Sequence, residues 1–387
     1  MKKAILKKGK EIAIARRHPW IFSGAIEKMD PCSAGELVEV LDHKKQFCAI
    51  GHVGTGSITI RVLSFEPVEI NSDFWNSKIA RCKSLREQLG MHVNSETNAY
   101  RLVHGEGDEL PGLIVDIYKN TAVIQAHSDG MFLHLDEISQ AIQVNFGSDI
   151  TTIYSKSKAA LHDDEVEDGF LLGDIPETVV EEYGMKLNVN WVTGQKTGFF
   201  LDQRENRNLL KHYSQGKTVL NTFAYTGGFS IAALHGGAEQ VVSVDISKTA
   251  TDLCDVNAQL NGFGDRHRSE TADVLQYLSD EENNYDIVVL DPPAFAKSLK
   301  KKHSATMGYK RLNALGLQRV KPGGLLFTFS CSQVIDEALF LNTVTAAAIE
   351  VGRKCQILHR LSQGPDHPVN IFHPEGHYLK GLVLRVD

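Results

Sequence analysis

Three side chains stand where runs of β-preferring residues stop. Asp245 closes "QVVSVD", Asp291 follows "YDIVVL", and Cys331 ends "LLFTFSCS". In a sheet whose strands run parallel, ligands bind beyond the carboxyl ends of the strands, so residues at those ends are the informative ones. An acid closing a strand can accept hydrogen bonds from ribose hydroxyls. Asp291 is followed by Pro292 and Pro293; proline fixes its own φ and restricts the residue before it. That stiffness suits hydrogen bonding to the edge of a planar base. A cysteine closing a strand is either a small buried hydrophobe or a nucleophile, which is activated when nearby positive charge favours its thiolate.

The strand "KTVLN" leads into "TFAYTGGFS", where Gly227 and Gly228 allow a tight turn and a close backbone approach to a ligand. Asp245 comes eighteen positions after Gly227. Neither Gly-x-Gly-x-x-Gly nor Gly-x4-Gly-Lys-Ser/Thr is present, which disfavours a nicotinamide oxidoreductase and any pyrophosphate ligand. A nucleoside without phosphates fits instead, and S-adenosylmethionine is the expected cofactor. Asp273, in "ETADVLQYL", suits either a contact to that nucleoside or a helix N-cap. Carboxylate, stiff diproline and cysteine together fit methylation of a pyrimidine at C5. The carbon is a poor nucleophile until a thiolate adds at C6; loss of the C5 proton later expels the thiolate. A stacked base must first be presented from a loop or flipped.

The elements that would position these residues are legible in outline. "GELVEVLD", "FCAIGHV" and "SITIRVLSF" read as strands of a small β domain. "SDFWNSKIARCKSLREQLG" has helical periodicity, with Ser72 or Asp73 as cap and Gly90 as stop. "GLIVDIY" and "TAVIQAH", joined by "KN", a helix near 131–145 and the strand "TTIYSKS" predict a small α+β domain. Beyond about 185, strands alternate with helices, as in a doubly wound, mostly parallel α/β sheet. The predicted fold class is thus multidomain, with residues 1–72, 73–183 and 184–387 as the three domains.

Composition narrows the class further. Of 387 residues, 42% are hydrophobic and 23% charged, ordinary globular values. No apolar run is long enough for a membrane span or a signal peptide, so a cytoplasmic protein is expected. The six cysteines, Cys32, Cys48, Cys82, Cys254, Cys331 and Cys355, form no Cys-x-x-Cys pair, so neither a zinc site nor a disulfide framework is expected. The net charge of -7 hides segregation. Residues 1–20 carry seven Lys or Arg against Glu11, and 297–321 carry eight with no acid, whereas 163–182 are acid-rich. Local field rather than net charge steers a polyanion, so RNA is a candidate partner. The segment 297–321 is also expected to supply the field that activates Cys331.

Longer stretches strengthen the reading: "RRHPWIFSGAI", "GEGDELPGLIVD", "KTGFFLDQRENR", "VLNTFAYTGGFS", "VDIS", "DPPAFAKS", "FSCS" and "PDHPVNIFHPEGHYLKG". Over essentially its whole length the chain resembles bacterial class I methyltransferases that make 5-methylcytosine in large-subunit ribosomal RNA. The resemblance implies an N-terminal β PUA RNA-binding domain, a small α+β middle domain and a C-terminal α/β Rossmann-like methyltransferase. It implies that Phe223, Tyr225, Gly227 and Gly228 wrap the methionine part of S-adenosylmethionine, that Asp245 and Ser247 hold the ribose, and that Asp273 takes the adenine amino group. Asp291 and Pro292 would lie at the reacting end, Gln203 and Arg204 would close over the cofactor, and Cys331 matches the nucleophile. Large-subunit ribosomal RNA, free or in an assembly intermediate, is the implied partner, and a homodimer is compatible with the resemblance. One departure matters: many cytosine-C5 enzymes carry a second cysteine after the diproline, where this chain has Ala294. The base that removes the C5 proton is thereby unassigned, with Lys297, Tyr309 and Lys310 as neighbourhood candidates. Related enzymes with the diproline but no later cysteine methylate guanine, so the choice of cytosine rests on Cys331. Two rival readings stay open: a guanine N7 or N2 methyltransferase with Cys331 merely buried, and an RNA-binding protein that holds the cofactor without turnover.

Overall fold

The structure, a computed structural model, describes every residue except His162, Asp164 and Lys297. The chain divides into two compact units. One comprises Met1–Val180, Val189–Leu201 and Pro365–Gly376; the other comprises Glu181–Asn188, Asp202–Gly364 and His377–Asp387. Among the described residues, no helix is long and apolar enough to cross a membrane.

The first unit contains two sheets. Strands β1 (Lys2–Leu6), β2 (Trp20–Phe22), β3 (Ile26–Met29), β4 (Leu37–Leu41), β5 (Phe47–Val53) and β6 (Ile58–Ser64) pair in the order β2-β6-β5-β4-β1-β3. The three strands predicted at 35–65 are β4, β5 and β6. The basic N-terminus adds β1, which pairs parallel with β4. Its charge masks a strand pattern: Lys2 and Lys3 are exposed while Ala4 and Leu6 are fully buried. Strands β7 (Ala99–His104), β8 (Leu113–Tyr118), β9 (Thr121–Ala126), β10 (Thr152–Ser155) and β11 (Gly169–Leu172) form the second sheet, in the order β11-β10-β9-β8-β7. The predicted "KN" turn joins β8 to β9, with Lys119 in the left-handed region at φ 56°. Helices Ser72–Gln88 and Leu135–Phe146 pack on this sheet, where Trp75, Ile79, Ile138 and Ile142 share a core with Val115, Ile117 and Ile124. The first of these helices is capped by Asn71, not by Ser72 or Asp73, because the extended Asn71 accepts the Phe74 N–H on its side chain.

Buried charge in this unit is fully engaged. The Arg86 guanidinium, with no exposed surface, forms a fork with Asp108 at 2.6 and 2.7 Å. It also donates to the Arg101 and Asp366 carbonyls, both at 2.8 Å. A buried cation is tolerated only with such geometry, since removing one partner strands the other in a low dielectric.

A two-stranded sheet, β12 (Glu177–Glu182) and β13 (Met185–Asn190), comes next in the chain. The second unit is built on β14 (Thr218–Thr222), β15 (Gln240–Asp245), β16 (His267–Thr271), β17 (Tyr285–Leu290), β18 (Val320–Ser330), β19 (Cys355–Leu361) and β20 (Lys380–Val386), ordered β16-β15-β14-β17-β18-β20-β19. The first five pair in parallel with their neighbours. β20 is antiparallel to both β18 and β19. The chain runs outward from β14 to β16, then restarts at β17 on the other side of β14. That reversal creates the crevice in which such sheets bind ligands. The central strands are buried on both faces, as in Ile287–Leu290, which explains their continuous apolar runs. The antiparallel edge, with β20 inserted between β18 and β19, is beyond what the strand–helix alternation predicts.

Replacing Arg86 by Met leaves Asp108 buried without its cation. The expected loss is about 3–5 kcal/mol of unfolding free energy, read as a lowered urea midpoint; an unchanged midpoint contradicts the assigned role.

Candidate functional site

Parallel registry brings the strand exits to one edge. Thr222 lies opposite both Val244 and Leu290, Leu290 opposite Thr328, and Asp245 opposite Thr271. Phe223, Asp245, Asp273 and Asp291 therefore leave the sheet on the same side, and Cys331 comes three residues after Thr328, directly beyond the end of β18.

The Asp245 carboxylate organises the first half of this edge. One oxygen accepts the Tyr225 N–H and the other the Ser247 N–H, both at 2.9 Å. Each oxygen retains a lone pair for a further donor. Ser247 caps helix Lys248–Leu260 by accepting the Ala250 N–H at 3.3 Å. The loop after β14 is unusual: Phe223, Tyr225 and Gly227 have φ of 53°, 48° and 81°. Left-handed aromatic residues cost about 1–3 kcal/mol each and persist where surrounding structure holds them, often at ligand clamps. The bracing comes from helix Lys248–Leu260, whose Cys254 thiol donates to the Tyr225 carbonyl and whose Asn257 donates to the Thr226 carbonyl. A Cβ at Gly227 would approach Cys254 Sγ to 3.2 Å, so the turn needs glycine for both space and φ. Gly228 then opens the buried helix Gly228–His235. Asp273 is an N-cap, as one of its two readings predicted: its side chain accepts the Gln276 N–H at 2.9 Å, leaving its other oxygen for a ligand. The motif reading passes over Ile246. This apolar side chain is 72% exposed directly after Asp245 and can cover the face of a planar ring. Its signal was a lone apolar residue between a strand-ending acid and a helix cap.

Asp291 anchors the second half. Gln203 donates to Asp291 Oδ1 at 3.0 Å and accepts from Asn206 at 2.6 Å. Burial pushes the Asp291 carboxyl up to about 7, the Asp202 carboxylate adds to the rise, and the Gln203 bond and Arg207 oppose it. Asp202, also missed in the motif reading, accepts the Tyr378 hydroxyl at 2.7 Å on one oxygen; its other oxygen is buried without a hydrogen-bond partner. Two carboxylates sharing a poorly solvated space leave one of them protonated near neutrality. Of the pair predicted to cover a cofactor, Gln203 meets Asp291, whereas buried Arg204 bonds Glu205 at 3.2 Å.

The Cys331 thiol is pushed up to about 11, first by burial, then by Asp291 and Asp202. Among the described residues, the cation that pulls it down is Lys380 on β20, which donates to the Ser332 carbonyl at 2.8 Å. Three lysines of the basic segment 297–321, from which that field was expected, are engaged with acids instead. Lys302, Lys310 and Lys321 pair with Asp336, Glu350 and Asp286 at 3.9, 2.5 and 3.0 Å, and Lys297 lies outside the described residues. Of the three base candidates, Lys310 is ion-paired and Tyr309 is buried beside Ser330 with its hydroxyl near the Cys331 thiol. The Ser332 hydroxyl donates to the Ala296 carbonyl at 2.7 Å, bracing the loop after the diproline.

Comparison with known proteins agrees with this geometry. A family model of S-adenosylmethionine-dependent methyltransferases matches residues 163–384, and a PUA-like domain model matches residues 4–65. In fold the chain is similar to a Streptococcus mutans structure described as a methyltransferase of this cofactor class, with a TM-score of 0.85 and 24% identity over 100% of both chains. It is equally similar to a methyltransferase complexed with S-adenosylhomocysteine, with a TM-score of 0.86 and 24% identity. The chain is thus a methyltransferase of the S-adenosylmethionine-dependent class with an N-terminal PUA-like domain. Ribosomal RNA large subunit methyltransferase I of Photobacterium profundum is 39% identical over 98% of each chain, and that of an Escherichia coli strain is 37% identical over 99% of this chain and 98% of its own. The chain belongs to the ribosomal RNA large subunit methyltransferase I family. Its cofactor is S-adenosylmethionine, and the edge described above suits it: an acid with free lone pairs, a left-handed loop, an exposed apolar side chain and no phosphate cradle.

Asp291 makes stability depend on pH. A carboxyl whose pKa rises from 3.8 to about 7 on folding keeps its proton when the unfolded chain has lost it. The native state is thus penalised increasingly between those pH values, and constantly above them. The Asp291→Asn variant should gain at least ~1 kcal/mol over wild type between pH 4 and pH 8. Thermal unfolding at the two pH values checks this; a pH-independent difference contradicts it.

Proposed function

We propose that this protein methylates C5 of a cytosine in large-subunit ribosomal RNA, with Cys331 adding to C6 of the base. The observation that carries the reading is that Cys331 leaves β18 on the edge shared with Asp291, close enough for the Asp291 carboxylate to raise the thiol's proton affinity. We take the domains to be residues 1–72, 73–183 and 184–387, the first binding RNA and the last holding cofactor and base in the bacterial cytoplasm.

S-adenosylmethionine supplies the methyl group. In our reading, Asp245 and Ser247 hold its ribose and Asp273 its adenine amino group. Phe223, Tyr225, Gly227 and Gly228 wrap its methionine part, with Gln203, Arg204, Asp291 and Pro292 around the reacting end. The thiolate of Cys331 forms a bond to C6, and the displaced electron pair makes C5 nucleophilic. Asp291, half-protonated near neutrality, donates to the N3 edge and stabilises the adduct. After methyl transfer the C5 proton departs and its electron pair expels the thiolate. With its hydroxyl pushed up to about 12, Tyr309 is a donor at neutral pH rather than the base for that step.

Cys331→Ala should abolish methylation while cofactor affinity stays within about twofold, because none of the proposed cofactor contacts involves Cys331. Unchanged turnover would overturn the nucleophile assignment and favour guanine. RNA containing 5-fluorocytosine should form an adduct with wild type that survives a denaturing gel, since fluorine blocks the final release. With the thiol near 11 and the Asp291 carboxyl near 7 in the free protein, kcat/KM should climb roughly tenfold per pH unit from 5 to 7 and then level off as Asp291 loses the proton it donates; a profile that is flat below pH 7 argues against thiolate attack. Lys300 and Lys301 are exposed, so their reversal to Glu should weaken RNA binding and lower its salt slope by roughly one unit per lost phosphate contact. An unaltered slope makes them solvated surface.

A further inference from the structure

We infer that His18, His373 and Glu375 form a binding site for one divalent transition-metal ion of the zinc class. All three belong to the first unit. One ligand atom from each lies within 4.8 Å of the others. His18 Nε2 is 3.7 Å from one Glu375 oxygen, and His373 Nε2 is 3.8 Å from the other. Donors about 2.0–2.1 Å from a tetrahedral zinc ion are separated by about 3.4 Å, so side-chain shifts of up to about 1.4 Å complete the arrangement.

The second observation is the state of His373. It is 3% exposed, and neither ring nitrogen has a hydrogen-bond partner. Such a group is rare in native proteins and calls for an unseen partner. The Trp20 indole packs against the His373 ring at 4.3 Å between centroids and donates to Glu106 at 2.8 Å. That places a second carboxylate charge beside the cluster.

His18 has the support a ligand needs. Its Nδ1 lies 3.3 Å from the Trp20 carbonyl, and donation there leaves the Nε2 lone pair free for a metal. Metal-binding histidines generally use the second nitrogen in this way. The Trp20 N–H, at 3.2 Å from Nδ1, favours the other tautomer without metal, so binding selects between two local arrangements. The Glu375 side chain is 52% exposed and opens a path for the ion. Three protein ligands leave a fourth position for water. The absence of Cys-x-x-Cys does not bear on this site, whose donors are imidazole and carboxylate. Its effect would be to clamp residue 18, at the entry to β2, to residue 373 near the C-terminus, closing a loop of most of the chain.

The test uses the full chain after treatment with a chelator, with Co2+ and Zn2+ as probes. Wild type should take up one Co2+ per chain, with visible d–d bands and no thiolate charge-transfer band. Zn2+ should raise its unfolding temperature. His373→Gln and Glu375→Gln should each weaken Co2+ binding by roughly tenfold or more and abolish the Zn2+-induced shift. Glu375 is half exposed, so its variant keeps the test decisive if His373→Gln does not fold. No uptake at micromolar Co2+, a thiolate band, or unaltered affinity in Glu375→Gln would overturn the proposal.

Discussion

Parallel pairing of β14 with both β15 and β17 is the constraint on which the site depends. Because neighbouring strands point the same way and stay in register, every exit falls on one edge. Residues far apart in sequence, from Phe223 to Cys331, then face one crevice. An antiparallel partner at any of these positions would send one exit to the opposite edge. The antiparallel strand β20 is kept to the far side of β18, where its start brings Lys380 opposite Ser330. The one reversal of direction thus adds a cation next to the thiol.

Burial at that edge decides protonation. Asp291 and Cys331 are each raised by desolvation first and by neighbouring carboxylates second. Lys380 is pulled down by its own burial. Cys331 feels both of the other two groups in a poorly solvated space, so none can be assigned a charge by residue type alone. The fold and the cofactor do not depend on the cysteine, whereas the proposed choice of base does. The left-handed loop stands on bonds to Asp245 and to helix Lys248–Leu260, none of which involves Cys331.

The first unit obeys a different rule. Its two sheets are small, and its buried charges are matched: Arg86 with Asp108, and Arg101 with Asp116. The main chain of Asp366 accepts from Arg86, while its carboxylate accepts the Arg101 N–H at 2.9 Å. A segment near the C-terminus is thereby fastened into this unit by hydrogen bonds over more than 260 positions. Such pairings carry no periodic signal and cannot be read from local pattern. The buried, unpartnered His373 lies in the same segment.

Local chemistry was enough to read the strands β4 to β6, the hairpin turn at Lys119, the β–α alternation beyond 185, and the acids and cysteine that close the strands. These follow from side-chain periodicity and from glycine and proline, which act within a few residues. Asn71 as cap, β1 within a lysine-rich run, and the exposed Ile246 were locally visible but outweighed by stronger neighbours. Only the tertiary structure decided that Lys380 acts on Cys331, and that Asp202 sits close enough to Asp291 to raise its pKa. Electrostatic fields fall with distance through a folded interior, and that distance is set by strand order, not by separation along the chain.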